Sequence, residues 1–512
     1  MNASTRAAPS LSAAVRAVLR RATEVYRDSP TTASQLRDQI DRLDEPLRVA
    51  VAGKVKAGKS TLLNALVGEQ IAPTDAGECT QIVTWYRDAA SPRVTLTPRT
   101  GLPRQLPLIR TDGRLEFDLR GSTPEEVERL LVDWPSRSLR TTTLIDTPGI
   151  ASLSTQISAR SIALLAPDDR PSDADAVIYL MRHLHASDVR FLESFHDQAA
   201  APAAVVNTIA VLSRADEIGA GRLDAMVSAR QVARRYRGEP KVRRLCQTVV
   251  AVAGLLAQTA RTLRQAEFSA LRELAEGSRS ELDALLLSAD RFVAAQAHPT
   301  LPAQTRSALV ERFGLFGLRL ATNLIRQGHR EPAGLTEELV RRSGLDELRT
   351  VLATQFTERR DVLKARSALL LVDRTLREQP RVETQELAGE VERILAGAHE
   401  FRELRLLAEL RAPDLGLSAD ARSDAERLLG GHGAAMPNRL GLEPDVDSGA
   451  LREAVTAALA RWQRRAESPL SDRAAADRAR VVVRSCEGML ARLSRDQVSS
   501  WRPSRHWTRP QE

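Results

Sequence analysis

Residues Gly53–Ser60, with the sequence GKVKAGKS, have the residue types and the spacing needed to bind a chain of phosphates. They match the pattern Gly-x-x-x-x-Gly-Lys-Ser/Thr, in which glycines let backbone N–H groups surround the phosphate oxygens. The pattern assigns Lys59 to the β- and γ-phosphates and Ser60 to a Mg²⁺ ion. The other predicted nucleotide contacts along this loop are Gly53, Lys56, Ala57, Gly58 and Thr61.

A second phosphate-site motif, Asp146-Thr147-Pro148-Gly149, follows the apolar run Thr143 to Ile145. A carboxylate at the end of a buried strand is suited to hold the Mg²⁺ shell, and the Gly149 N–H is suited to contact the γ-phosphate. The motif is weak alone, but it gains weight from its place after the phosphate loop. We therefore predict Asp146 and Gly149 as nucleotide contacts, and Ser60 and Asp146 as metal ligands.

The base-binding motif is predicted where the strand Thr208 to Leu212 ends in Ser213-Arg214-Ala215-Asp216. Asp216 would accept hydrogen bonds from guanine N1–H and N2–H₂, which adenine cannot supply. Arg214 and Ser213 stand where lysine and asparagine or threonine are usual, and a surface turn is the alternative interpretation. A weaker signal, Ala253-Gly254 after the strand Thr248 to Val252, completes the predicted base site.

A threonine that contributes to the Mg²⁺ site and to catalysis is expected between these motifs. Thr74 and Thr80 are the two candidates. We favour Thr80, because it comes immediately before a predicted strand, Gln81 to Arg87.

The elements that carry these motifs predict an α/β domain over residues 46–260. Short apolar strands alternate with helical patterns, which indicates a mostly parallel sheet with helices on both faces. Within the insertion between Thr80 and Asp146, Thr123 and Pro124 predict the start of a helix that continues to Leu131. One helix, Leu11 to Ile40, is predicted before the domain.

The rest of the chain predicts a bundle of long helices. Apolar residues at three- and four-residue steps dominate residues 261–498, and Pro380 and Pro413 are among the breaks. The predicted helix within residues 1–45 has no core of its own, so we expect it to pack into this bundle. Residues 499–512 predict a flexible tail that combines tryptophan and arginine.

Charge and composition restrict the partners only loosely. The 512 residues are 43% hydrophobic and 27% charged, with a net charge of +8, which is ordinary for a globular protein. Only five residues are lysine, and three of these lie within residues 54–59, so the positive charge is mostly arginine. We attribute that bias to a GC-rich genome. Three cysteines fit a reducing cytosol, and no secretory signal is recognised.

The motifs together resemble the dynamin superfamily of large GTPases, and within it the actinobacterial dynamin-like group that includes the mycobacterial isoniazid-inducible pair, particularly its C-type member. The resemblance rests on GKVKAGKSTLLNAL, AGECTQIVTWYRD, LIDTPGI, LSRADEIG, Arg312–Gly317 (RFGLFG) and Ser343–Leu348 (SGLDEL). It covers the chain to about Leu376. It implies GTP and GDP binding with Mg²⁺, and GTP hydrolysis coupled to self-association and membrane remodelling.

One departure from the family pattern concerns the attacking water. Dynamins place glutamine and serine where this chain has Val55 and Lys56, and Ile150 follows Gly149 where a glutamine would be suitable. We hypothesise that the Lys56 ammonium replaces a charge-compensating monovalent cation, which makes Lys56 a catalytic candidate. The alternative is a solvated loop lysine.

The sequence permits more than one interpretation of membrane contact and of the binding partners. Phe313 to Ile325 is either an interfacial segment or a buried helix, and the Trp501–Arg509 tail either meets lipid headgroups or is disordered. We expect a cytoplasmic protein on the inner face of the plasma membrane, with an anionic membrane and a second copy or a paralogue as partners, and not nucleic acid. The alternatives are a regulatory or ribosome-assembly GTPase, and a weakly hydrolysing partner of a membrane-active paralogue.

Overall fold

The computed structural model describes residues 10–74, 81–111, 113–149, 172–197, 207–294, 301–410, 417–469 and 472–500. The chain divides into two compact units, Met1–Val391 and Glu392–Glu512. Each is described by itself below. The predicted boundaries at residues 46, 261 and 499 stay predictions about domains.

The first unit is built around a nine-stranded sheet in the order β11-β10-β9-β1-β8-β2-β7-β3-β4. The strands are β1 Leu47–Gly53, β2 Thr84–Asp88, β3 Arg93–Pro98, β4 Arg104–Leu106, β5 Ile109–Thr111, β6 Arg114–Glu116, β7 Val127–Trp134, β8 Thr142–Asp146, β9 Ala176–Met181, β10 Thr208–Ser213 and β11 Val249–Val252. Strands β5 and β6 form a separate antiparallel pair.

Five neighbouring strands, from β11 to β8, are parallel. Their carboxyl ends therefore meet at one edge, and β1 lies in the middle between β8 and β9. Beyond β8, the strands β2, β3 and β4 introduce antiparallel pairs. The predicted mostly parallel sheet is confirmed for the part that carries the motifs.

Helices cover both faces of the sheet. The helices of this unit are α1 Leu11–Val25, α2 Pro30–Arg42, α3 Lys59–Val67, α4 Ala186–Asp197, α5 Ala225–Gly238, α6 Pro240–Arg243, α7 Gly254–Arg261, α8 Gln265–Glu276, α9 Arg279–Leu285, α10 Ala289–Ala294, α11 Ala303–Arg326, α12 Pro332–Ser343, α13 Leu345–Gln355 and α14 Arg360–Glu378. A further helix, α15, spans Thr384–Gly397.

Alternation along β1 shows how the two faces are filled. Ala50 and Ala52 belong to one buried cluster, whereas Val49 and Val51 belong to the other. Successive side chains of a strand point to opposite faces, and every position of β1 except the half-buried Arg48 is buried, so both faces must be covered. The predicted α/β architecture is confirmed.

The N-terminal segment forms two helices instead of the single predicted one, because the chain turns before Pro30, which begins α2. Helices α1 and α2 pack against each other and against α14. Tyr26, at the end of α1, donates a hydrogen bond to the backbone oxygen of Gln379 at 2.6 Å. The buried ammonium of Lys364 on α14 donates to the backbone oxygens of Arg42 and Glu45. The predicted all-α region from N- and C-terminal segments is thus confirmed.

The predicted helix from Thr123 to Leu131 is wrong. The Glu126 side chain does accept a hydrogen bond from the Thr123 N–H at 3.0 Å, as in a helix N-terminus. This contact closes only a turn, and β7 begins at Val127. Strand β7 pairs with β2 and β3, and Leu130 and Val132 are fully buried between them. Sheet pairing outweighs the local helical propensity.

The segment from Phe313 to Ile325 is largely buried and is helical on either side of a kink at Gly314, where φ is +60° and ψ is +175°. Its burial excludes the interfacial interpretation in this structure. It lies within α11, and Phe313, Phe316, Leu320 and Leu324 are all buried. Arg312, just before it, donates to a Glu267 carboxylate oxygen at 2.8 Å.

The second unit consists of helices α16 His399–Glu409, α17 Ala419–Leu428, α18 Met436–Leu440, α19 Ser448–Ala466 and α20 Arg473–Ser500. Helices α19 and α20 pack along each other, and α16 also packs on α20. Their core includes Leu406, Val455, Trp462, Val482 and Cys486. Residues 501–512, most of the predicted tail, lie outside the described residues.

Candidate functional site

The phosphate loop connects the central strand β1 to helix α3. Gly53 has a φ of +149°, and a Cβ there would lie 2.5 Å from the backbone oxygen of Leu180 on the neighbouring strand. Only glycine fits so close to β9. Gly58, with a φ of +90°, caps the N-terminus of α3, so the first helical N–H groups face the loop.

Lys59 lies at the first position of α3 and reaches back across the loop. Its ammonium donates to the backbone oxygens of Gly53 at 3.4 Å and Lys54 at 3.3 Å. Burial lowers the pKa of Lys59, although the nearby Asp146 carboxylate partly opposes this. A desolvated positive charge with only weak carbonyl partners is well suited to attract phosphate oxygens.

Ser60 and Asp146 meet as predicted. The Ser60 hydroxyl donates to Asp146 Oδ2 at 2.7 Å, while the buried Asp146 Oδ1 has no hydrogen-bond partner among the described residues. Burial raises the pKa of Asp146, although Lys59 and Ser60 oppose this. One buried carboxylate and one hydroxyl are hard oxygen donors of the kind Mg²⁺ uses beside phosphates. No cluster of three or more histidine, cysteine or acidic residues competes for a metal in the described part of the chain.

The rest of the Asp146–Gly149 motif is held against the phosphate loop. The Thr147 hydroxyl donates to the Val51 backbone oxygen at 2.9 Å. A Cβ on Gly149 would lie 2.4 Å from Cγ2 of Val55. The glycine is therefore required by its close contact with the phosphate loop.

Parts of the predicted phosphate loop, base motif and small-residue motif line one cavity of about 160 Å³, whereas Lys59, Ser60 and the Asp146–Gly149 motif are not part of its lining. Its lining from the predicted site consists of Ala57, Gly58, Thr61, Ser213, Arg214, Asp216 and Gly254. These residues come from three separate segments, which the parallel sheet brings to one edge. Ala253 is fully buried behind the cavity, and its N–H donates to the Ser343 backbone oxygen at 2.9 Å.

The base motif has a polar centre in an apolar surrounding. Burial raises the pKa of Asp216, to which the Glu217 charge also contributes. The Ser213 hydroxyl donates to the Met181 backbone oxygen at 3.3 Å, so serine here ties β10 to β9. Arg214 has a φ of +51°, and its guanidinium donates to Glu217 at 2.7 Å. The arginine is thus already held by a neighbouring carboxylate.

Lys54, for which the sequence indicates no role, is the contact that sequence reasoning missed. Its ammonium forms an ion pair with the buried carboxylate of Asp188 at 3.1 Å. Asp188 also accepts hydrogen bonds from the Tyr179 hydroxyl at 2.7 Å and the His185 N–H at 2.9 Å. The phosphate loop is thereby fastened to the start of α4. A lysine and an aspartate 134 positions apart leave no local signal of this pairing.

Lys56 is exposed and lies in the left-handed region, with a φ of +61°. The Arg182 guanidinium donates to its backbone oxygen at 3.3 Å. Within the described residues its ammonium has no ion-pair partner. The loop backbone is fixed at this position while the charge remains available.

Only one of the two candidate threonines for the Mg²⁺ site lies within the described residues. Thr80 lies outside the described residues, whereas Thr74 is described and exposed. Ile150 also lies outside them.

Comparisons with known proteins agree with the geometry. The Dynamin family model matches residues 49–210. The isoniazid-induced protein IniC of Mycobacterium tuberculosis is 44% identical over 486 residues, covering 94% of this chain and 98% of that protein. The bacterial dynamin-like protein of Nostoc punctiforme is 31% identical over 115 residues, covering 20% of this chain and 16% of that protein.

Among solved structures, an oligomerised bacterial dynamin pair, described as providing a mechanism for long-range sensing and tethering of membranes, covers 96% of this chain and 74% of that chain. Its sequence identity is 12% and its TM-score 0.31. Across the described residues, no helix has both the length and the apolar character to span a bilayer.

Proposed function

The chain belongs to the dynamin family, in the bacterial dynamin-like group, and from this membership we propose that it uses Mg²⁺-dependent GTP hydrolysis to drive self-association and remodelling of an anionic membrane. It is a GTPase that binds guanine nucleotides. The proposed location is the inner face of the plasma membrane, and the proposed partner is a second copy or a dynamin-like paralogue.

The shared cavity is the observation that carries the nucleotide assignment. Asp216 lines the same cavity as the phosphate-loop residues Ala57 and Gly58. A guanine ring against Asp216 would therefore direct its phosphates toward the N-terminus of α3. The assignments of Gly53, Arg214, Ala253 and Gly254 to nucleotide contact are part of the proposal.

Ser60 and Asp146 are proposed to hold the Mg²⁺, and Thr80 remains the proposed third ligand. The unsatisfied Asp146 Oδ1 supports this, since a buried carboxylate oxygen without a partner costs free energy unless something binds it. When bound, the ion would neutralise charge that develops on the phosphate oxygens.

The chain's own residues would act mainly by positioning and by charge. Lys59 would exchange its long carbonyl contacts for β- and γ-phosphate oxygens. The Gly149 N–H would contact the γ-phosphate, and its contact with Val55 would couple that event to the loop. A change on hydrolysis would thus reach the segment after Gly149.

Lys56 is proposed to replace a monovalent cation. We expect the wild-type protein to hydrolyse GTP at the same rate in KCl as in a salt without potassium or sodium. Lys56→Ser is expected to lower kcat by about 10-fold, because it removes one charge aimed at the transition state from an exposed site. Added K⁺ should restore part of that loss. Steady-state phosphate release in each salt measures both effects.

Lys56→Arg, which keeps the charge, and Lys241→Ser, which removes an exposed lysine from α6, are the controls for this experiment. If the wild type requires K⁺ while Lys56→Ser hydrolyses GTP equally well, Lys56 is a solvated loop residue and the idea is wrong.

Membrane remodelling is tested separately. The full chain, with GTP or GDP, is mixed with vesicles containing phosphatidylglycerol or only phosphatidylcholine, and vesicle size and lipid mixing are followed. We expect a change with GTP and the anionic vesicles alone. GTP turnover with no vesicle change under any condition would reject the membrane part. Turnover that rises only with ribosomal RNA, or only with a paralogue, would instead support one of the alternative functions.

A further inference from the structure

The second unit contains a groove that the nucleotide site does not explain. It lies between α16 and α20 and has a volume of about 750 Å³. Five arginines line it. Arg402 and Arg405 come from α16, and Arg478, Arg480 and Arg484 come from α20.

Two of these arginines are neutralised by carboxylates in the groove. Arg478 lies 3.5 Å from a carboxylate oxygen of Glu409, and Arg480 lies 2.5 Å from one of Asp477. The third carboxylate of the lining, Glu487, forms no ion pair with these arginines within the described residues. Charge in the groove is therefore only partly balanced.

The other three arginines have no carboxylate partner among the described residues. Arg402 donates to the backbone oxygen of Ala396 at 3.0 Å. Arg405 and Arg484 are exposed, one on each wall, and neither makes an ion pair within the described part of the chain. Elsewhere in this unit arginines do find acids, as Arg427 and Arg461 do with Asp424. The arginine-rich composition alone does not produce this arrangement.

Glu403 on α16 does not balance the positive charge of the groove. It is not part of the lining, and its carboxylate is already bound by other side chains. Burial raises the pKa of Glu403, but hydrogen bonds from His399 and Ser485 and the charge of Arg439 outweigh this and hold the pKa at about 2. Arg439 contacts the same carboxylate at 2.5 Å. The negative charge of Glu403 is therefore used within the core.

Apolar side chains also line the groove, together with one residue that has an unsatisfied polar atom. Leu406, Val481 and Val483 are part of the lining. His399 also lines the groove; its Nε2 lies 2.9 Å from the Ser485 hydroxyl, while its buried Nδ1 has no partner among the described groups. Cations beside apolar side chains are less well screened than cations surrounded by water.

We propose that this groove is a binding site for a phosphate group. Guanidinium groups pair with phosphate oxygens in a bidentate geometry, and two unpaired arginines on facing walls can approach one phosphate from both sides. A free polyphosphate or the headgroup of an anionic lipid would provide this chemistry. The site belongs to a different unit from the nucleotide cavity, and its occupation does not depend on GTP hydrolysis.

The test compares two double variants of the full chain with the same loss of charge. Arg405→Ser/Arg484→Ser removes the unpaired arginines. Arg464→Ser/Arg492→Ser removes two exposed arginines, one on α19 and one on α20, that do not line the groove. Each protein is saturated with GDP and Mg²⁺, so that the phosphate loop is filled. Calorimetry with inorganic pyrophosphate, and sedimentation with phosphatidylglycerol or phosphatidylcholine vesicles, then measure binding.

We expect the groove variant to bind at least about 10-fold more weakly than the wild type, and the control variant to bind like the wild type. Loss confined to pyrophosphate would identify a free ligand, and loss that includes the phosphatidylglycerol vesicles would identify a headgroup. An equal loss in both variants would show a general charge effect and overturn the proposal, as would a wild type that binds neither probe. GTP turnover should be unchanged in both variants, so failure here is distinct from failure of the GTPase assignment.

Discussion

Lys59→Ala is expected to reduce kcat for GTP hydrolysis by roughly 10²–10³-fold, with a marked loss of GTP affinity. In the structure this ammonium is desolvated and held only by two long contacts to carbonyl oxygens. It is thus preorganised to bind the phosphate oxygens. In the alanine variant, water would fill the vacated space and would stabilise the phosphate charge less than the fixed ammonium does. Single-turnover hydrolysis and titration with a fluorescent GTP analogue would separate the two effects.

The thermal stability of the nucleotide-free Lys59→Ala protein should not fall. Burial disfavours the charged form of Lys59, which is seen in its lowered pKa, so removing the group relieves a cost. Lys241→Ala, at an exposed lysine of α6, is the matched control and should keep full activity. Hydrolysis by Lys59→Ala within a factor of about three of the wild-type rate would contradict the assigned role, because that loss is less than one tenth of the roughly 10²–10³-fold loss expected.

Asp216→Asn is expected to weaken GTP binding by about 10²–10⁴-fold. Two hydrogen bonds from guanine to a carboxylate would be lost, and hydrogen bonds to charged groups contribute about 1.5–3 kcal/mol each. The amide of asparagine donates where the carboxylate accepts. The variant should therefore prefer xanthosine triphosphate, whose C2 oxygen accepts a hydrogen bond in place of the guanine amino group. Competition of both nucleotides for one fluorescent analogue measures the switch.

Asp224→Asn provides the control for the loss of a carboxylate, since Asp224 is exposed and lies outside the cavity lining. It should leave the nucleotide preference unchanged. If Asp216→Asn bound GTP as the wild type does, the Ser213–Asp216 segment would be a surface turn. Guanine selection would then have to come from another part of the site.

The nucleotide site was largely predictable from the sequence because each of its motifs is local. Gly53–Ser60, Asp146–Gly149 and Ser213–Asp216 each lie at the end of an apolar strand, and parallel strands bring such ends to one edge. The structure places these segments together, with Ser60 bonded to Asp146. The short apolar strands that alternate with helical patterns likewise predicted a sheet with helices on both faces, as the two buried clusters show.

Tertiary structure alone decided the features that depend on distant partners. Thr123 and Glu126 carry a valid local helix signal, but the pairing of β7 with β2 and β3 makes Val127–Trp134 a strand. The bond between Lys54 and the buried Asp188 joins residues with no common motif. Burial of Phe316 and Leu320 depends on which surface α11 meets, which its apolar composition does not specify.

The arginines show the same contrast between what the sequence predicts and what the tertiary structure decides. Their number follows from composition and indicates little about partners. Folding gives Arg427 and Arg461 an acid, whereas Arg405 and Arg484, which line a groove from two helices, have no carboxylate partner among the described residues. The sequence by itself determined the family, the sheet and the nucleotide motifs, because these are encoded in short segments. Only the tertiary structure decided which charges are neutralised, because ion pairing depends on distances of a few ångströms between residues far apart in the chain.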